Sequence, residues 1–477
     1  MLKEDYIDIP TILQQSITPD QAWYYNIIPK SSDGSILSFY IDKKRNHDIS
    51  AELEMLFGKK IQLYPVESEI INRSLSKYYR KSATSKKQSS FTTKTDSDDY
   101  IISLIHEAES IGSSDIHMEA YEDSCRIRMR IDGKLIERYI LTKNEYPSVI
   151  NKIKIKANLD IAEKRLPQDG RIYYSDTRNK FDIRVSVLPT LHGEKIVMRL
   201  LSKDATEIDI EKLGFTKEQL AIYLEGVKKT HGIILISGPT GSGKTTTLYA
   251  TLKILNQEYS NILTIEDPIE YTLNGINQVQ LKENIGLGFA QALRTFLRQD
   301  PDIIMLGEIR DNETAQMATR AALTGHLVLS TIHTNSAWGT ISRLIDMGVP
   351  PFLVANTLNL SMAQRLIRLL CPKCKEEHTF DTGMLPRTYN VKTDLKKQYI
   401  PKGCDECYYT GYRGRTAIYE VIPVDAELSQ FIKENKLNIT EYLAENNIKS
   451  LPDSAFELFE NGHTSLEEIY SVLLTNY

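Results

Sequence analysis

The 477-residue sequence has no long apolar run. Its purely apolar stretches, such as "GIILI" at Gly232–Ile236, fall far short of the ~20 residues that a membrane-spanning helix needs. The N-terminus, "MLKEDYIDIPTILQQ", has no basic start followed by an apolar core, which is the pattern of a secretory signal peptide. We therefore expect a cytosolic protein.

Cysteine and net charge are also low. Five cysteines in a chain without an expected export signal favour reduced thiols or metal ligands over disulfides. A net charge of −5 provides no overall basic surface, so we do not expect nucleic acid as a direct partner. Hydrophobic residues at 41% and charged residues at 25% are ordinary values for a globular protein, and the length suggests roughly three or four domains.

Composition and periodicity divide the chain into six segments. Residues 77–98 are dense in Ser, Thr and Lys and nearly free of aliphatic residues, which predicts a flexible linker. Strand-like and helical runs alternate over residues 205–370, which predicts an α/β fold with a mostly parallel sheet between helices. The other segments are predicted as an N-terminal domain, a small α+β domain, a tetracysteine lobe and a C-terminal helical region: 1–76, 99–204, 371–420 and 421–477.

Three local patterns support this division. "YIISLIHEAES" has helical spacing, with one apolar face made of Ile101, Leu104, Ile105 and Ala108. "SCRIRMRID" alternates strictly and predicts a half-buried strand, on which Cys125 packs inward and the arginines form either a solvated row or one that faces phosphate or another subunit: Arg126, Arg128 and Arg130. In "TSLEE", Thr464 and Glu467 have the spacing of a capping box and predict a helix start.

A phosphate-binding loop is predicted at "GPTGSGKT", which follows the strand-like "IILIS" and precedes the helical "TTTLYATLKIL". Glycines let the backbone amides point at phosphate oxygens, and the helix N-terminus adds positive potential. Lys244 is placed to reach the β- and γ-phosphates of ATP, and the Thr245 hydroxyl to bind Mg²⁺. We assign nucleotide binding here to Gly238, Pro239, Thr240, Gly241, Ser242, Gly243, Lys244, Thr245 and Thr246.

Two acidic clusters follow other strand-like runs. "DPDIIMLGEIRD" has Gly307 where a metal-holding aspartate is usual, and Glu308 comes next; at a strand end, Glu308 would act as the general base for the attacking water. "TIEDPIE" adds Glu266 and Asp267, which we assign to nucleotide binding, and Glu270, which we assign to catalysis. Ligands bind at the carboxyl ends of such strands. The alternative is that these are surface carboxylates that cap nearby helices.

Histidines and cysteines complete the candidate set. "GHLVLSTIHTN" is expected to bring His326 and His333 near the edge of the sheet that binds phosphate, either as packed residues or as groups that orient the γ-phosphate. Two CxxC pairs suit tetrahedral Zn²⁺, although a redox pair or an iron–sulfur cluster is an alternative. The pairs are Cys371 with Cys374 and Cys404 with Cys407; His378 is a possible replacement ligand.

Taken together, these motifs resemble the type II secretion and type IV pilus assembly family of ATPases. The resemblance runs from about residue 99 to the C-terminus and includes the two acidic clusters, the phosphate loop, the cysteine pairs and four further motifs: "SSDIHMEA", "RLPQDGR", "DIRVSVLPT" with "GEKIVMRLL", and "GYRGRTAIYE". It implies a RecA-like core preceded by a small PAS-like α+β domain, and a family in which glycine is usual at the position of Gly307.

Several residue roles follow from the resemblance alone. It makes Glu308 the catalytic glutamate, "TIEDPIE" the acidic box, and His326 with His333 the histidine box. It also points to arginines of the preceding domain that approach nucleotide when subunits close: Arg171 and Arg184, with Arg199 less directly. An arginine placed in this way would neutralise charge on the transferring phosphoryl group, although each could instead form an interface salt bridge.

The resemblance implies a hexameric motor that uses ATP to assemble a type IV pilus or a type II secretion pseudopilus. Its implied partners are an inner-membrane platform protein and a membrane-anchored docking partner, so the cytosolic ring would associate peripherally with the inner membrane. The alternatives are a pilus retraction motor, a type IV secretion ATPase or DNA translocase, and a non-catalytic nucleotide-sensing scaffold.

Overall fold

The computed structural model describes residues 2–3, 6–33, 36–43, 49–79, 99–175, 180–201, 209–387, 389, 395–436 and 438–475. The chain forms two compact units, Met1–Ser202 with Lys402–Tyr412, and Lys203–Pro401 with Arg413–Tyr477. Within the described ranges, every helix is too short or too polar to cross a membrane.

The first unit begins with a three-stranded sheet and four helices. In chain order the elements are β1 (Leu2–Lys3), β2 (Tyr6–Ile7), α1 (Thr11–Gln14), α2 (Pro19–Tyr25), β3 (Ile27–Asp33), β4 (Ile36–Asp42), α3 (Ser50–Phe57), β5 (Lys60–Val66) and α4 (Ser68–Tyr78). β3 and β4 pair antiparallel, whereas β4 and β5 pair parallel. Ile71 and Leu75 of α4 are fully buried in one core with Phe39 of β4. Most of the predicted linker, residues 80–98, lies outside the described residues.

The remainder of the first unit contains an antiparallel six-stranded sheet of order β8-β7-β6-β11-β10-β9. Its elements are α5 (Asp99–Ser110), β6 (Ser113–Ala120), β7 (Cys125–Ile131), β8 (Lys134–Leu141), α6 (Tyr146–Lys156), β9 (Gln168–Ser175), β10 (Lys180–Thr190) and β11 (Gly193–Leu201). β7 alternates buried and half-buried residues along its whole length, and Cys125 lies in the core, as the sequence predicted. The predicted apolar face of α5 is confirmed, because all four of its residues are buried against this sheet.

A seven-stranded sheet of order β14-β13-β15-β16-β12-β17-β20 organises the second unit. The first six strands of this order, from β14 to β17, pair parallel with their neighbours. This pairing confirms the predicted α/β fold. The strands of the second unit are β12 (Gly232–Ser237), β13 (Ile262–Glu266), β14 (Asn277–Gln280), β15 (Ile303–Leu306), β16 (Leu327–Ile332), β17 (Leu358–Leu370), β18 (Lys375–Thr379), β19 (Lys397–Pro401) and β20 (Tyr412–Pro423). β18 and β19 form a separate antiparallel pair.

Helices cover both faces of this sheet. They are α7 (Lys217–Val227), α8 (Lys244–Leu255), α9 (Phe289–Phe296), α10 (Asn312–Leu323), α11 (Gly339–Asp346), α12 (Pro351–Thr357), α13 (Ala426–Lys433), α14 (Thr440–Glu445), α15 (Leu451–Glu460) and α16 (Leu466–Leu473). Ile233 and Leu235 of β12 belong to one apolar cluster, and Ile234 and Ile236 to the other. Because successive side chains of a strand point to opposite faces, a wholly apolar strand is expected where both faces are covered.

The last helix begins one residue later than predicted. Ser465, not Thr464, is the N-cap of α16, and its hydroxyl accepts a hydrogen bond from the backbone N–H of Glu468. The Thr464 hydroxyl instead donates to the carbonyl of Arg368 in β17 at 2.8 Å. Both residues can cap a helix, so the spacing alone could not decide between them.

Candidate functional site

The predicted phosphate loop lies between β12 and α8, as a strand–loop–helix. Gly238, Gly241 and Gly243 have φ angles of 148°, 80° and 86°, which favour glycine. A Cβ atom at Gly238 would lie 2.5 Å from the carbonyl oxygen of Gln364, and one at Gly243 would lie 2.8 Å from the Gln364 side-chain nitrogen. Glycine is therefore required at these positions by the positive φ angles and, at Gly238 and Gly243, also by the lack of space for a Cβ atom.

Lys244 and Thr245 open α8 at the mouth of the loop. The Lys244 ammonium donates to the carbonyls of Gly238 at 2.8 Å and Pro239 at 3.1 Å, so it is held over the loop. Burial lowers the pKa of Lys244, and the charge of Glu308 opposes this shift. The Thr245 hydroxyl is on an exposed residue of the first helical turn, where a hard oxygen ligand for Mg²⁺ is needed.

Gln364 of β17 supports the loop from beneath, and the sequence analysis missed it. Its side-chain nitrogen donates to the Ser242 carbonyl at 2.8 Å, and its oxygen accepts from the Thr247 hydroxyl at 2.9 Å. The signal was a polar Gln–Arg pair inside the mostly apolar "LSMAQRLIRLL". Polar residues buried in a central strand need partners, and here the partner is the phosphate loop.

Gly307 and Glu308 follow β15 directly. The Gly307 N–H donates to the Ile265 carbonyl at 2.8 Å, and its carbonyl accepts from the Thr331 hydroxyl at 2.7 Å. A Cβ atom at this position would lie 3.3 Å from the Ile265 oxygen, so a side chain there would be crowded. The position where an aspartate is usual is thus packed between two strand ends, and the first carboxylate available is that of Glu308.

The Glu308 carboxylate is nearly buried, with 13% of its side chain exposed, and contacts two nitrogen-bearing side chains. His333 Nε2 lies 3.4 Å from Oε2, and the Arg310 guanidinium pairs with Oε1. The charge of Glu308 acts on Lys244 of the phosphate loop. The sequence analysis assigned no role to Arg310. Its position two residues after Glu308 could have indicated that the two side chains pair.

The acids of "TIEDPIE" occupy different environments. Glu266 is buried at the end of β13, where its carboxylate accepts hydrogen bonds from Thr264 Oγ1 at 2.6 Å, from Gln278 Nε2 at 3.1 Å and from the Tyr249 hydroxyl. Asp267 is exposed and its charge helps to raise the pKa of Arg310. Glu270 is half-buried, and its backbone N–H donates to the Tyr249 hydroxyl at 3.4 Å. Glu266 therefore orients core side chains in this structure.

The two histidines lie at opposite ends of β16, so the expectation that they share one edge is wrong. His333 follows the strand and contacts Glu308, whereas His326 precedes it. His326 Nδ1 lies 2.9 Å from the Ala321 carbonyl at the end of α10. Seven residue steps along the strand separate them by about 23 Å at ~3.3 Å per residue, so two histidines that flank one strand lie at its opposite ends.

Three arginines of the first unit, Arg171, Arg184 and Arg199, form a cross-strand row that the sequence did not reveal. Arg184 of β10 lies directly opposite Arg171 of β9 and Arg199 of β11. Arg199 in turn lies opposite Asp115 of β6, and its Nε donates to that carboxylate at 3.0 Å. Residues that are directly opposite in neighbouring strands share a face of the sheet, so these side chains form one basic row.

The four predicted metal ligands come together. The Sγ atoms of Cys371, Cys374, Cys404 and Cys407 all lie within 4.8 Å of one another. The Cys374 N–H donates to the Cys371 carbonyl at 3.2 Å, and the Cys404 N–H approaches the Cys407 Sγ at 3.1 Å, so each pair belongs to a tight turn. Four thiolates in such an arrangement fit tetrahedral Zn²⁺, the structural metal that prefers sulfur ligands.

A parallel sheet with a phosphate loop after β12 and a carboxylate after β15, with only β16 between these two strands, indicates a P-loop nucleoside triphosphatase. The family model described as "Type II/IV secretion system protein" matches residues 94–471. The type II secretion system ATPase E of Vibrio cholerae is 46% identical over 376 residues, which cover 78% of this chain and 74% of that protein. The chain therefore belongs to the type II/IV secretion system protein family.

Other relatives agree with this family. The type IV pilus assembly ATPase PilB of Pseudomonas aeruginosa is 38% identical over 493 residues, 98% of this chain and 87% of that protein. PilB of Myxococcus xanthus is 49% identical over 75% of this chain and 64% of that protein. The solved structure of the pilus retraction motor PilT with ADP is 28% identical, with a TM-score of 0.54 over 78% of this chain and 96% of that chain. These comparisons confirm the resemblance and the prediction of an ATPase.

Proposed function

We propose that this chain is the ATPase motor that drives assembly of a type IV pilus or of a type II secretion pseudopilus. One observation carries the proposal: the Glu308 carboxylate follows β15, two strands away from β12 and its phosphate loop, contacts His333 at the end of the intervening β16, and acts electrostatically on Lys244. A nucleotide held by the loop would have its γ-phosphate near this carboxylate. The named functions of the type II secretion and pilus assembly relatives support the coupling to assembly.

In the proposed reaction, the loop amides and Lys244 would hold the triphosphate of ATP, and the Thr245 hydroxyl would be a ligand for Mg²⁺. Mg²⁺ would neutralise charge on the phosphate oxygens. Glu308 would accept a proton from the attacking water as the water oxygen bonds to the γ-phosphorus and the bond from that phosphorus to the leaving ADP breaks. The contact with His333 would orient one carboxylate oxygen. Of the acids that follow β13, Asp267 is proposed to bind nucleotide and Glu270 to take part in catalysis.

Arginines from the preceding domain are proposed to complete the site. Arg184 lies between Arg171 and Arg199 on neighbouring strands. Asp115, which contacts Arg199, supplies one negative charge beside this row. Such a row would stabilise the charge of the transferring phosphoryl group when domains close. We propose that these arginines act across subunits of a homo-oligomer, which the family resemblance suggests is a hexamer.

The proposed setting is the cytoplasmic face of the inner membrane. A platform protein in the membrane would receive the mechanical work, and a membrane-anchored partner would dock on residues 1–76. The tetracysteine cluster would hold a structural Zn²⁺ that stabilises the lobe around it. We propose no direct contact with nucleic acid.

Turnover of purified protein tests the assignment of Glu308. Glu308→Gln keeps the volume but removes the base, so we expect ATP hydrolysis to fall at least ~100-fold while ATP binding stays within about twofold. Glu258→Gln, an exposed carboxylate of the same unit, is the matched control and should hydrolyse at the parent rate. Parent-rate hydrolysis by Glu308→Gln would refute the proposed base.

The same assay separates the alternative functions. Stimulation of ATP hydrolysis by single-stranded DNA would favour a translocase, and no turnover even with membranes or platform protein would favour a nucleotide-sensing scaffold. Stimulation by the platform protein, and restored pilus or pseudopilus assembly in a strain that lacks its own assembly motor, would support the proposal. Restored retraction instead of assembly would favour a retraction motor.

A further inference from the structure

We call the proposed base Glu308 and its neighbour His333 the catalytic edge. We infer that Glu420, the last residue of "GYRGRTAIYE", is a positioning residue for the catalytic edge, because it fixes the segment that follows His333. The inference rests on the proposed function. Glu420 lies in β20 and is fully buried. Its Oε1 accepts the backbone N–H of Ala337 at 3.0 Å, and its Oε2 accepts the backbone N–H of Leu451 at 3.4 Å.

The segment 333–337 crosses the ends of several strands and is held at each crossing. The Ser237 hydroxyl of β12 donates to the Ser336 carbonyl at 3.2 Å. On β17, Arg365 donates to the Asn335 carbonyl at 3.1 Å, and the Ser361 hydroxyl donates to the Ala337 carbonyl at 2.7 Å. Glu420 supplies the last of these contacts, to the Ala337 N–H.

The start of this segment is the catalytic edge itself. His333 lies four residues before Ala337 and contacts the Glu308 carboxylate at 3.4 Å. Arg365, which holds the middle of the segment, also acts electrostatically on Lys244 and contributes to its lowered pKa. A shift of Ala337 would therefore be transmitted to His333 and Glu308 over a short, tethered path.

Only a carboxyl group satisfies both contacts of Glu420. Two backbone N–H donors converge on it from different parts of the chain, so both of its terminal atoms must accept. Each oxygen of a carboxyl group retains a lone pair for this purpose in either protonation state, whereas the amide nitrogen of glutamine only donates. Burying an acid is costly without such partners, and its pKa is raised to about 8 by burial.

The second donor links the site to the C-terminal helices. Leu451 is the first residue of α15, whose initial backbone N–H groups have no partner within the helix. The Ser454 hydroxyl of the same helix donates to the Tyr419 carbonyl at 3.0 Å, next to Glu420 in β20. Glu420 therefore joins the segment after His333 to α15, and through it the helical region can affect the catalytic edge.

The test is a comparison of Glu420→Gln with the parent, each with and without His333→Ala. Glu420→Gln turns one acceptor into a donor, so we expect kcat for ATP to fall about tenfold with KM within about twofold. If Glu420 acts through the segment after His333, Glu420→Gln should lower kcat much less in the His333→Ala background, because coupled residues are not additive. Glu434→Gln, an exposed carboxylate of the same unit, is the control.

Equal fold-losses in both backgrounds, or parent kcat in Glu420→Gln, would overturn the inference. Should Glu420→Gln not fold, Glu420→Asp asks the same question, since it keeps two acceptor oxygens but shortens their reach; failure of both variants to fold would make Glu420 a stability residue and also overturn it. A parent protein without any turnover would instead refute the proposed function.

Discussion

His333 Nε2 lies 3.4 Å from Oε2 of Glu308, while the Arg310 guanidinium pairs with the other carboxylate oxygen. Both oxygens of the proposed base are therefore held by side chains at the carboxyl end of the sheet. A base that must align a water molecule for in-line attack benefits from a fixed orientation. We propose that His333 positions this carboxylate, a role that can be tested separately from nucleotide binding.

Replacing His333 should lower turnover selectively. We expect His333→Ala to reduce kcat about tenfold with nucleotide affinity within about twofold, because the change leaves the phosphate loop intact. His326→Ala is the matched control, since His326 lies at the other end of β16 and contacts the end of α10. Steady-state hydrolysis and nucleotide titration measure both quantities. An equal loss of kcat in the two variants would contradict the assigned role.

The basic row makes a second prediction. Arg184→Ala should lower kcat at least ~10-fold, since an arginine that stabilises the transferring phosphoryl group contributes mainly to the transition state. Arg165→Ala is the control, because Arg165 is highly exposed and pairs only at the surface with Glu163. Hydrolysis is measured over a range of protein concentrations, so that assembly is complete. Parent-rate hydrolysis by assembled Arg184→Ala would remove this residue from the proposed site.

Features with a local cause could be predicted from the sequence. The phosphate loop needs glycines because of its own φ angles, and β7 alternates because one of its faces is buried. The tetracysteine cluster also follows from two short spacings, and its four sulfur atoms do meet. In the loop, the strand and each CxxC pair, a few neighbouring residues contain the physical requirement, whereas the meeting of the two cysteine pairs depends on the fold.

Features that depend on pairing between distant segments could not be predicted in this way. The alignment of Arg171, Arg184 and Arg199 follows from strand register, which the three separate motifs do not specify. The burial of Glu266 depends on Tyr249 and Gln278, which come from a helix and a neighbouring strand. The sequence placed several acids near the site. Only the fold distinguishes Glu308, which acts on the phosphate loop, from Glu266, which supports the core.

Removing a cysteine should release zinc. We expect about one zinc per chain in reduced, metal-replete protein, and Cys404→Ser should lose most of it and melt at a lower temperature, because metal binding contributes to folding of such lobes. Cys125→Ala removes a thiol that lies in the core of the α+β sheet, so its zinc content should not change. Elemental analysis of the purified variants measures this. A parent protein without zinc under these conditions would refute the metal site.

Glu420 also predicts a pH dependence of stability. Burial raises its pKa to about 8. The hydrogen bonds from the Ala337 and Leu451 N–H groups and the charge of Arg365 oppose this shift, and the charge of Asp453 adds to it. Between the ordinary carboxyl pKa and about pH 8, the folded protein holds a proton that the unfolded chain releases. The stability contributed by this proton is therefore fully present at low pH and is lost as the pH rises towards 8.

Comparison with Glu420→Gln isolates this contribution, because the amide does not titrate and the other groups cancel in the difference. From about pH 5 to pH 8, the free energy of unfolding of the parent should fall relative to that of Glu420→Gln by up to ~1.4 kcal/mol per pH unit. Chemical denaturation followed at several pH values measures the slope, and Glu434→Gln should run parallel to the parent. A constant difference between parent and Glu420→Gln across this range would show that the buried carboxyl does not titrate there.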